Sequence, residues 1–334
     1  MKRYIYLSIL IILFSLVSLL ITVPSVDDFS LYNPFWNGIS TLHDEYGFKY
    51  VHLSDLRSIS SNGLVFVFPS RPIDENQAEV LEAFLKRGGT LILLDEYGYS
   101  NGFLHSIGSE IKVTSNLLRD PLYKWRSSEF PCAWINFEGK IFKIYLNYAS
   151  TLYAGKAKVL GVSSYFSFSD KDLDGSHDAG EPAGRMCIAA SYRYERGLLI
   201  IFSDSSIFLN SMLDLGENRL LLEDLIRDRE PYILEDTLSF GAYTLLRENI
   251  VSTCTAAYNL MFHSSISYLL MFLTAISVFS ATRALYFRLQ KRYMSVSLKD
   301  TLYDVLKIHP SWDRKLLEKL LPEVFEDFEH YRKD

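Results

Sequence analysis

The chain has 334 residues, 49% of them apolar and 14% aromatic, with 34 Lys and Arg set against 40 Asp and Glu. A formal charge of −6 without a basic stripe excludes the electrostatic footprint of a nucleic-acid binder. Three cysteines, Cys132, Cys187 and Cys254, form no CxxC pair and leave one over, and spacing alone does not decide whether Cys132 joins Cys187.

The first predicted element is an apolar run, Tyr4 to Val23, preceded by Lys2 and Arg3. A helix of about twenty such residues crosses a bilayer, and no small-x-small cleavage site follows, so residues 1–23 read as an uncleaved signal anchor. A second run, about 260–282, precedes Arg283, Arg288, Lys291 and Arg292. Positive charge outside both runs predicts a two-pass cell-membrane protein with cytosolic termini and an extracytoplasmic segment between them.

Within that segment, Leu64 to Phe68 is a short continuous apolar run, the pattern of a strand covered on both faces. Asp74 and Gln77 form a capping box for a helix with Ala78, Val80, Leu81, Phe84 and Leu85 on its apolar stripe, stopped by Gly88-Gly89. Thr90 to Leu94 is the next buried strand, which makes a crossover of the length a parallel pair requires. Strand character continues in 141–146, 157–168 and 186–194, and Leu198 to Phe202 repeats the buried pattern before Ser203-Asp204. A helix is expected over Ile207, Phe208, Met212 and Leu213, and another over 218–226. The expected domain spans 24–228, with 229–259 as a stalk and 283–334 as a small helical tail. In that tail Leu302, Val305 and Leu306 make one apolar face and Leu316, Leu317, Leu320 and Leu321 belong to a following helix. So short a unit packs on itself, lies along the membrane or, as its mixed charge favours, docks on a cytosolic partner.

Two constellations carry chemistry. Asp170-Lys171-Asp172-Leu173-Asp174-Gly175-Ser176-His177-Asp178-Ala179-Gly180-Glu181 has the ligand order of an EF-hand-type loop. Asp170, Asp172, Asp174, the Ser176 carbonyl, Asp178 and Glu181 would supply hard oxygens to one Ca²⁺. Strand-like Ser163 to Phe168 stands where the first helix of an EF-hand should be, so the loop is expected to act as a structural clip on a hairpin rather than a switch. The second constellation lies beyond the carboxyl ends of the predicted strands, where ligands of open α/β sheets gather. Asp95, Glu96, Asn101, Asp204, Ser206 and Asn210 all map there as a candidate pocket, and the competing reading makes them turn and cap residues.

Pro72-Ile73-Asp74, then Leu81 to Asp95 with its Gly88-Gly89, then Asn101-Gly102-Phe103-Leu104, resembles the domain-of-unknown-function family numbered 4350. Ser203-Asp204-Ser205-Ser206-Ile207-Phe208-Leu209-Asn210, with Asn218 after it, resembles that family's second block. The resemblance covers about residues 30–230. It implies an α/β fold, flavodoxin-like or similar to class I glutamine amidotransferases, with a partly parallel sheet and a β-hairpin insertion. It also implies membrane anchoring and genes beside MoxR-type ATPases or ABC-transport components. An amidotransferase needs a nucleophilic Cys at a strand-to-helix elbow, and neither Asp95-Glu96-Tyr97-Gly98 nor Ser203-Asp204-Ser205-Ser206 holds one. The leading expectation is therefore a non-enzymatic, membrane-anchored accessory protein of an ATPase or transporter complex. The rivals are an extracytoplasmic hydrolase using Asp95, Glu96 and Asp204, and a module that binds a sugar or peptide in the strand-end crevice.

Overall fold

The computed structural model describes residues 2–60, 62–262 and 267–308, together with 311, 313, 315 and 316. The chain divides into two units, residues 1–251 and 252–334.

The first unit holds helices α1 (Lys2–Thr22), α2 (Ser40–Tyr46), α3 (Glu75–Lys86), α4 (Asn101–Ser106) and α5 (Asn218–Ile226), and the start of α6 (Ala242–Phe262). Its strands are β1 (Lys49–Val51), β2 (Leu64–Val67), β3 (Thr90–Leu94), β4 (Lys112–Val113), β5 (Leu117–Arg119), β6 (Cys132–Phe137) and β7 (Lys140–Tyr145). They continue with β8 (Leu152–Tyr153), β9 (Lys158–Ser163), β10 (Phe168–Asp170), β11 (Cys187–Tyr194), β12 (Gly197–Phe202) and β13 (Pro231–Leu234). The main sheet runs β1-β13-β2-β3-β12-β11-β9-β6-β7, with β4 and β8 attached beside β11, while β5 and β10 pair separately.

From β1 to β12 the strands are parallel, and from β12 to β7 they alternate antiparallel. The three expected strands are thus neighbours in one parallel block. Both faces of that block are covered, which is why their sequences are apolar throughout. Val65, Val67, Leu91, Leu93, Leu199 and Ile201 pack under α3 and α4. Leu64, Phe66, Ile92, Leu94, Ile200 and Phe202 pack on the other side against Leu42 of α2 and Leu221, Leu222 and Leu225 of α5. The Asp74–Gln77 box closes in both directions, with Gln77 N–H on Asp74 Oδ1 at 2.8 Å and Asp74 N–H on Gln77 Oε1 at 3.1 Å. Gly197 lets β12 begin against the end of α3, because a Cβ there would lie 2.4 Å from the Leu85 carbonyl oxygen.

Several expectations are corrected. Among the described residues no helix is long and apolar enough to cross a membrane. Of the second apolar run, residues 263–266 lie outside the described residues, and the uncharged stretch of the 42-residue helix α7 (Ser267–Ile308) stops at Thr282, short of about twenty residues. Helix α1 has 21 residues and does not supply a span among its described residues either. The two transmembrane helices, the cell-membrane localisation and the extracytoplasmic and cytosolic assignments are therefore withdrawn. Residues 231–234, given to a stalk, form β13 between β1 and β2. The expected helix over 207–213 is a series of turns whose Ile207, Phe208, Met212 and Leu213 are buried in the core. In the second unit, α7 carries straight through 283–308, so the tail does not begin as a new helix, and the face over Leu317, Leu320 and Leu321 lies outside the described residues.

Candidate functional site

The parallel strands β2, β3 and β12 all end at the same edge, and the three segments that follow them meet around one cleft of about 330 Å³. Phe68 and Pro69 arrive from β2, Glu96 and Tyr97 from β3, and Ser205 and Ser206 from β12. A loop near the amino terminus adds Asp28, Trp36 and Asn37. Trp36 and Tyr97 stand at the mouth, 70% and 62% exposed.

The turn after β3 is built on Asp95. Its Oδ1 accepts the N–H groups of Tyr97 and Gly98, both at 2.9 Å, and its Oδ2 accepts Ser100 N–H at 2.8 Å and Ser100 Oγ–H at 2.6 Å. A buried carboxylate with four donors has no lone pair left for a substrate. Gly98, at φ +81°, completes the turn where a side chain would strike Asn101. Asp95 thereby aims its neighbour Glu96 across to β12, where Glu96 Oε2 accepts Ser205 N–H at 2.9 Å.

Asp204 is fully buried behind the cleft, holding Asn147 N–H and Ser206 N–H at 2.7 Å each. Burial pushes its carboxyl well above the ordinary range, and the nearby Glu96 adds to the rise. Burial likewise raises Glu96, although its bonds to Ser205 oppose the shift. Glu96 thus adds to the rise of Asp204, the charge of Asp95 adds to that of Glu96, and both carboxyls retain protons at higher pH than isolated acids. This pair gives the cleft wall a hydrogen-bonding group whose state changes with pH.

Of the six expected pocket residues, the structure brings Glu96 and Ser206 to the cleft and Asp204 directly behind it. Asn101 faces β4, bonding Val113 through both its Nδ2 (3.0 Å) and Oδ1 (2.8 Å). Asn210 secures the loop that carries Trp36: its Nδ2 donates to the carbonyls of Asn33 and Phe35 at 3.0 and 2.8 Å. Trp36, Asn37, Tyr97 and Asn147 were missed. Asn33-Pro34-Phe35-Trp36-Asn37-Gly38, a turn-rich segment presenting two aromatics, was the signal available for Trp36.

The cysteines sit elsewhere, and all three are free. Burial pushes the Cys132 and Cys187 thiols up to about 11, away from nucleophilic thiolate.

In the acidic loop, carboxylate oxygens of Asp170, Asp172 and Asp174 lie within 4.8 Å of one another. Gly175 adopts φ +85°, as the ligand order requires. The fit to a cation is partial. Asp170 is buried and paired with Arg119, which also holds Glu129. Burial alone would raise the Asp170 carboxyl, but Arg119 and the N–H groups of Leu173 and Gly175 outweigh it and hold it below the ordinary range. Glu181 turns back onto Lys171 N–H (2.6 Å) and Asp178 N–H (3.1 Å), and Asp174 accepts Ser176 N–H at 2.7 Å.

These features define a mixed α/β protein with a ligand-sized cleft at the ends of its parallel strands. The profile of the family described as Domain of unknown function (DUF4350) matches residues 32–226, and the chain belongs to that family. No curated protein matches the sequence. Among solved structures, the chain is similar to the mmIFT52 N-terminal domain at 17% identity, with a TM-score of 0.40 over 52% of this chain and 80% of that one. It is also similar to a beta-galactosidase from Bacillus circulans sp. alkalophilus, at 14% identity and a TM-score of 0.31 over 50% of this chain and 22% of that one. A third, the beta-galactosidase of Halorubrum lacusprofundi, gives 14% identity and a TM-score of 0.32 over 49% and 21%. The chain thus spans about a fifth of the length of these galactosidases, and likenesses of this size carry no functional argument.

Proposed function

We propose that this protein is a non-catalytic binding module whose strand-end cleft takes a small hydroxyl-rich ligand, the end of a sugar being the best fit. The observation that carries the reading is the cleft's composition. Exposed aromatic faces, Trp36 and Tyr97, flank amides, hydroxyls and one carboxyl, which are Asn37, Asn147, Ser205, Ser206 and Glu96. A pyranose offers the matching surfaces, a C–H face for the rings and a rim of hydroxyls for the polar groups. The volume suits one or two rings. The engagement of Asp95 and Asp204 by backbone N–H groups, and the raised thiols of buried Cys132 and half-buried Cys187, support binding over catalysis. Titrating the full chain with glucose, maltose and cellobiose, read by calorimetry and by tryptophan fluorescence, tests it. Saturable binding lost in Trp36→Ala and Glu96→Gln is the expected result. Binding to none of these sugars, or binding untouched by both substitutions, overturns it, and release of nitrophenol from nitrophenyl glycosides would favour the hydrolase instead. An accessory role beside a MoxR-type ATPase or ABC-transport component remains part of the proposal on the family resemblance, and co-purification with either would test it.

The clustering of Asp170, Asp172 and Asp174 favours a second reading, that the loop holds one structural Ca²⁺. A cation bound only by the folded loop must raise the melting temperature. Thermal unfolding with chelator and with millimolar calcium, beside an Asp172→Ala, Asp174→Ala variant, decides the point. Equal melting of both proteins in both conditions would leave only an acidic turn held by Arg119.

A further inference from the structure

A second cavity, of about 410 Å³, opens on the face of the sheet beside α5, at the end of β12 opposite the strand-end cleft. Strand register builds it. Ile92 of β3 lies opposite Ile200 of β12, Ile200 opposite Ser191 of β11, and Ser191 opposite Lys158 of β9. Residues directly opposite in adjacent strands share a face, as do residues two apart along one strand. Leu198 and Arg193, themselves opposite each other, therefore join this row. Leu225 of α5 and Arg229 beyond it line the cavity, together with Phe137 at the end of β6 and Glu138 in the turn to β7.

The result is an apolar floor with a cationic rim. Ile92, Leu160 and Ile200 are almost entirely shielded from solvent. Among the described residues, Lys158 and Arg193 make no ion pair. Arg229 is held on one side by Thr90 Oγ1 at 2.9 Å, and the nearby Lys156 is engaged with Glu110 at 3.1 Å. Of the four basic residues that line the cavity, Lys156 is thus compensated by Glu110, which leaves three cations against the single carboxylate of Glu138. Like charges on one sheet face repel, and an anion placed among them relieves that cost. A bare anion would leave the floor wet, whereas a neutral apolar body would leave the cations uncompensated.

We infer that this trough binds a small amphiphilic anion, a carboxylate or phosphate head carried on a short apolar body. The head sits among Lys158, Arg193 and Arg229, and the body lies on Ile92, Leu160 and Ile200. The inference is independent of the sugar reading, because the two cavities share no lining residue.

Calorimetric titration of the full chain with octanoate, octyl phosphate, 1-octanol and octyltrimethylammonium tests it. Both anions should bind saturably, the alcohol at least tenfold more weakly, and the ammonium salt should not bind; the tighter anion identifies the head group. The Lys158→Ala, Arg193→Ala variant should lose at least tenfold in anion affinity while melting as the parent does. Arg193→Glu alone should do the same if the double variant folds poorly, and Trp36→Ala should leave binding unchanged. Octanol binding as tightly as octanoate, anion binding undiminished in the charge variants, or no binding by either anion would overturn the inference.

Discussion

The side-chain amide of Asn218 pairs with the backbone of Tyr145 in both directions, its Oδ1 accepting the Tyr145 N–H at 2.9 Å and its Nδ2 donating to the Tyr145 carbonyl at 3.0 Å. Tyr145 ends β7, the last strand of the main sheet, so a side chain stands where another strand would pair. One step along, Glu217 treats Lys143 alike, its N–H donating to the Lys143 carbonyl at 2.9 Å and its Oε2 accepting the Lys143 N–H. An open edge is a template for aggregation, and here its last stretch of backbone, at Lys143 and Tyr145, is covered. Replacing Asn218 by Ala strips the Tyr145 backbone and the Ile207 carbonyl of partners in a fully buried place. The expected cost is about 1–3 kcal/mol, since unsatisfied buried groups keep their desolvation penalty. Urea unfolding should show the loss, and light scattering at equal concentration should show more self-association than in the parent.

Much of the parallel block is legible because burial on both faces leaves a local signature. Leu64 to Phe68, Thr90 to Leu94 and Leu198 to Phe202 are apolar without alternation, and the Asp74–Gln77 box marks a helix start within four residues. β13 escaped because Pro231-Tyr232-Ile233-Leu234 is too short to show a period and begins with proline. Ile207 to Leu213 has helical apolar spacing, yet the segment buries those side chains from turns, and spacing alone does not separate the two. The strand-end rule located Glu96, Asp204 and Ser206. It could not locate Trp36, which reaches the cleft from an irregular loop by way of the Asn210 contacts, a relationship set by tertiary packing.

Arg119 joins Glu129 and the buried Asp170, and its removal would leave the Asp170 charge with no cation and only the N–H groups of Leu173 and Gly175 to hold it. Arg119→Met should destabilise the domain by about 3–5 kcal/mol, the range for breaking one side of a buried pair. Because the folded carboxyls of Asp170 and Glu129 are depressed, their contribution is present above the unfolded pKa and is lost as pH falls through the folded values. The difference in stability between parent and variant should therefore shrink on acidification. A variant as stable as the parent at neutral pH in chemical denaturation would refute this account.

Glu96 and Asp204 have the opposite sign. Their folded carboxyls are raised, so the stability linked to them is complete below the unfolded carboxylate range, near pH 4, and is lost as pH rises through the folded values. Glu96→Gln keeps an oxygen for Ser205 N–H and removes one charge of the pair. The variant should lose less stability than the parent between pH 5 and 8, and its remaining dependence should belong to Asp204. Parallel melting curves for the two proteins across that range would show that the carboxyls do not interact.

The third pH-dependent group is Glu248 of α6, which feels the charges of His52, just after β1, and Glu235, just after β13. Burial raises its carboxyl to about 7, Glu235 and Asp27 push in the same direction, and Arg247 and His52 oppose them. Its Oε1 is buried without a hydrogen-bond partner, so the charged form gains nothing there to offset its lost hydration. Neighbouring contacts fix the helix in place: Thr244 shares a buried hydrogen bond with Ser25 at 2.8 Å, and Arg247 Nε donates to the Val23 carbonyl at 3.0 Å. The protonated acid is therefore the form that suits this packing. Its stabilising contribution is complete below the ordinary glutamate pKa and fades as pH climbs through about 7. Glu248→Gln imitates the protonated acid at every pH, so it should match the parent in melting temperature near pH 5 and exceed it at pH 8.5. Exchange of the α6 backbone amides, corrected for the intrinsic effect of pH, should slow in the variant at the higher pH only. A variant that melts below the parent at pH 8.5 would mean that the charged carboxylate is the form the fold requires.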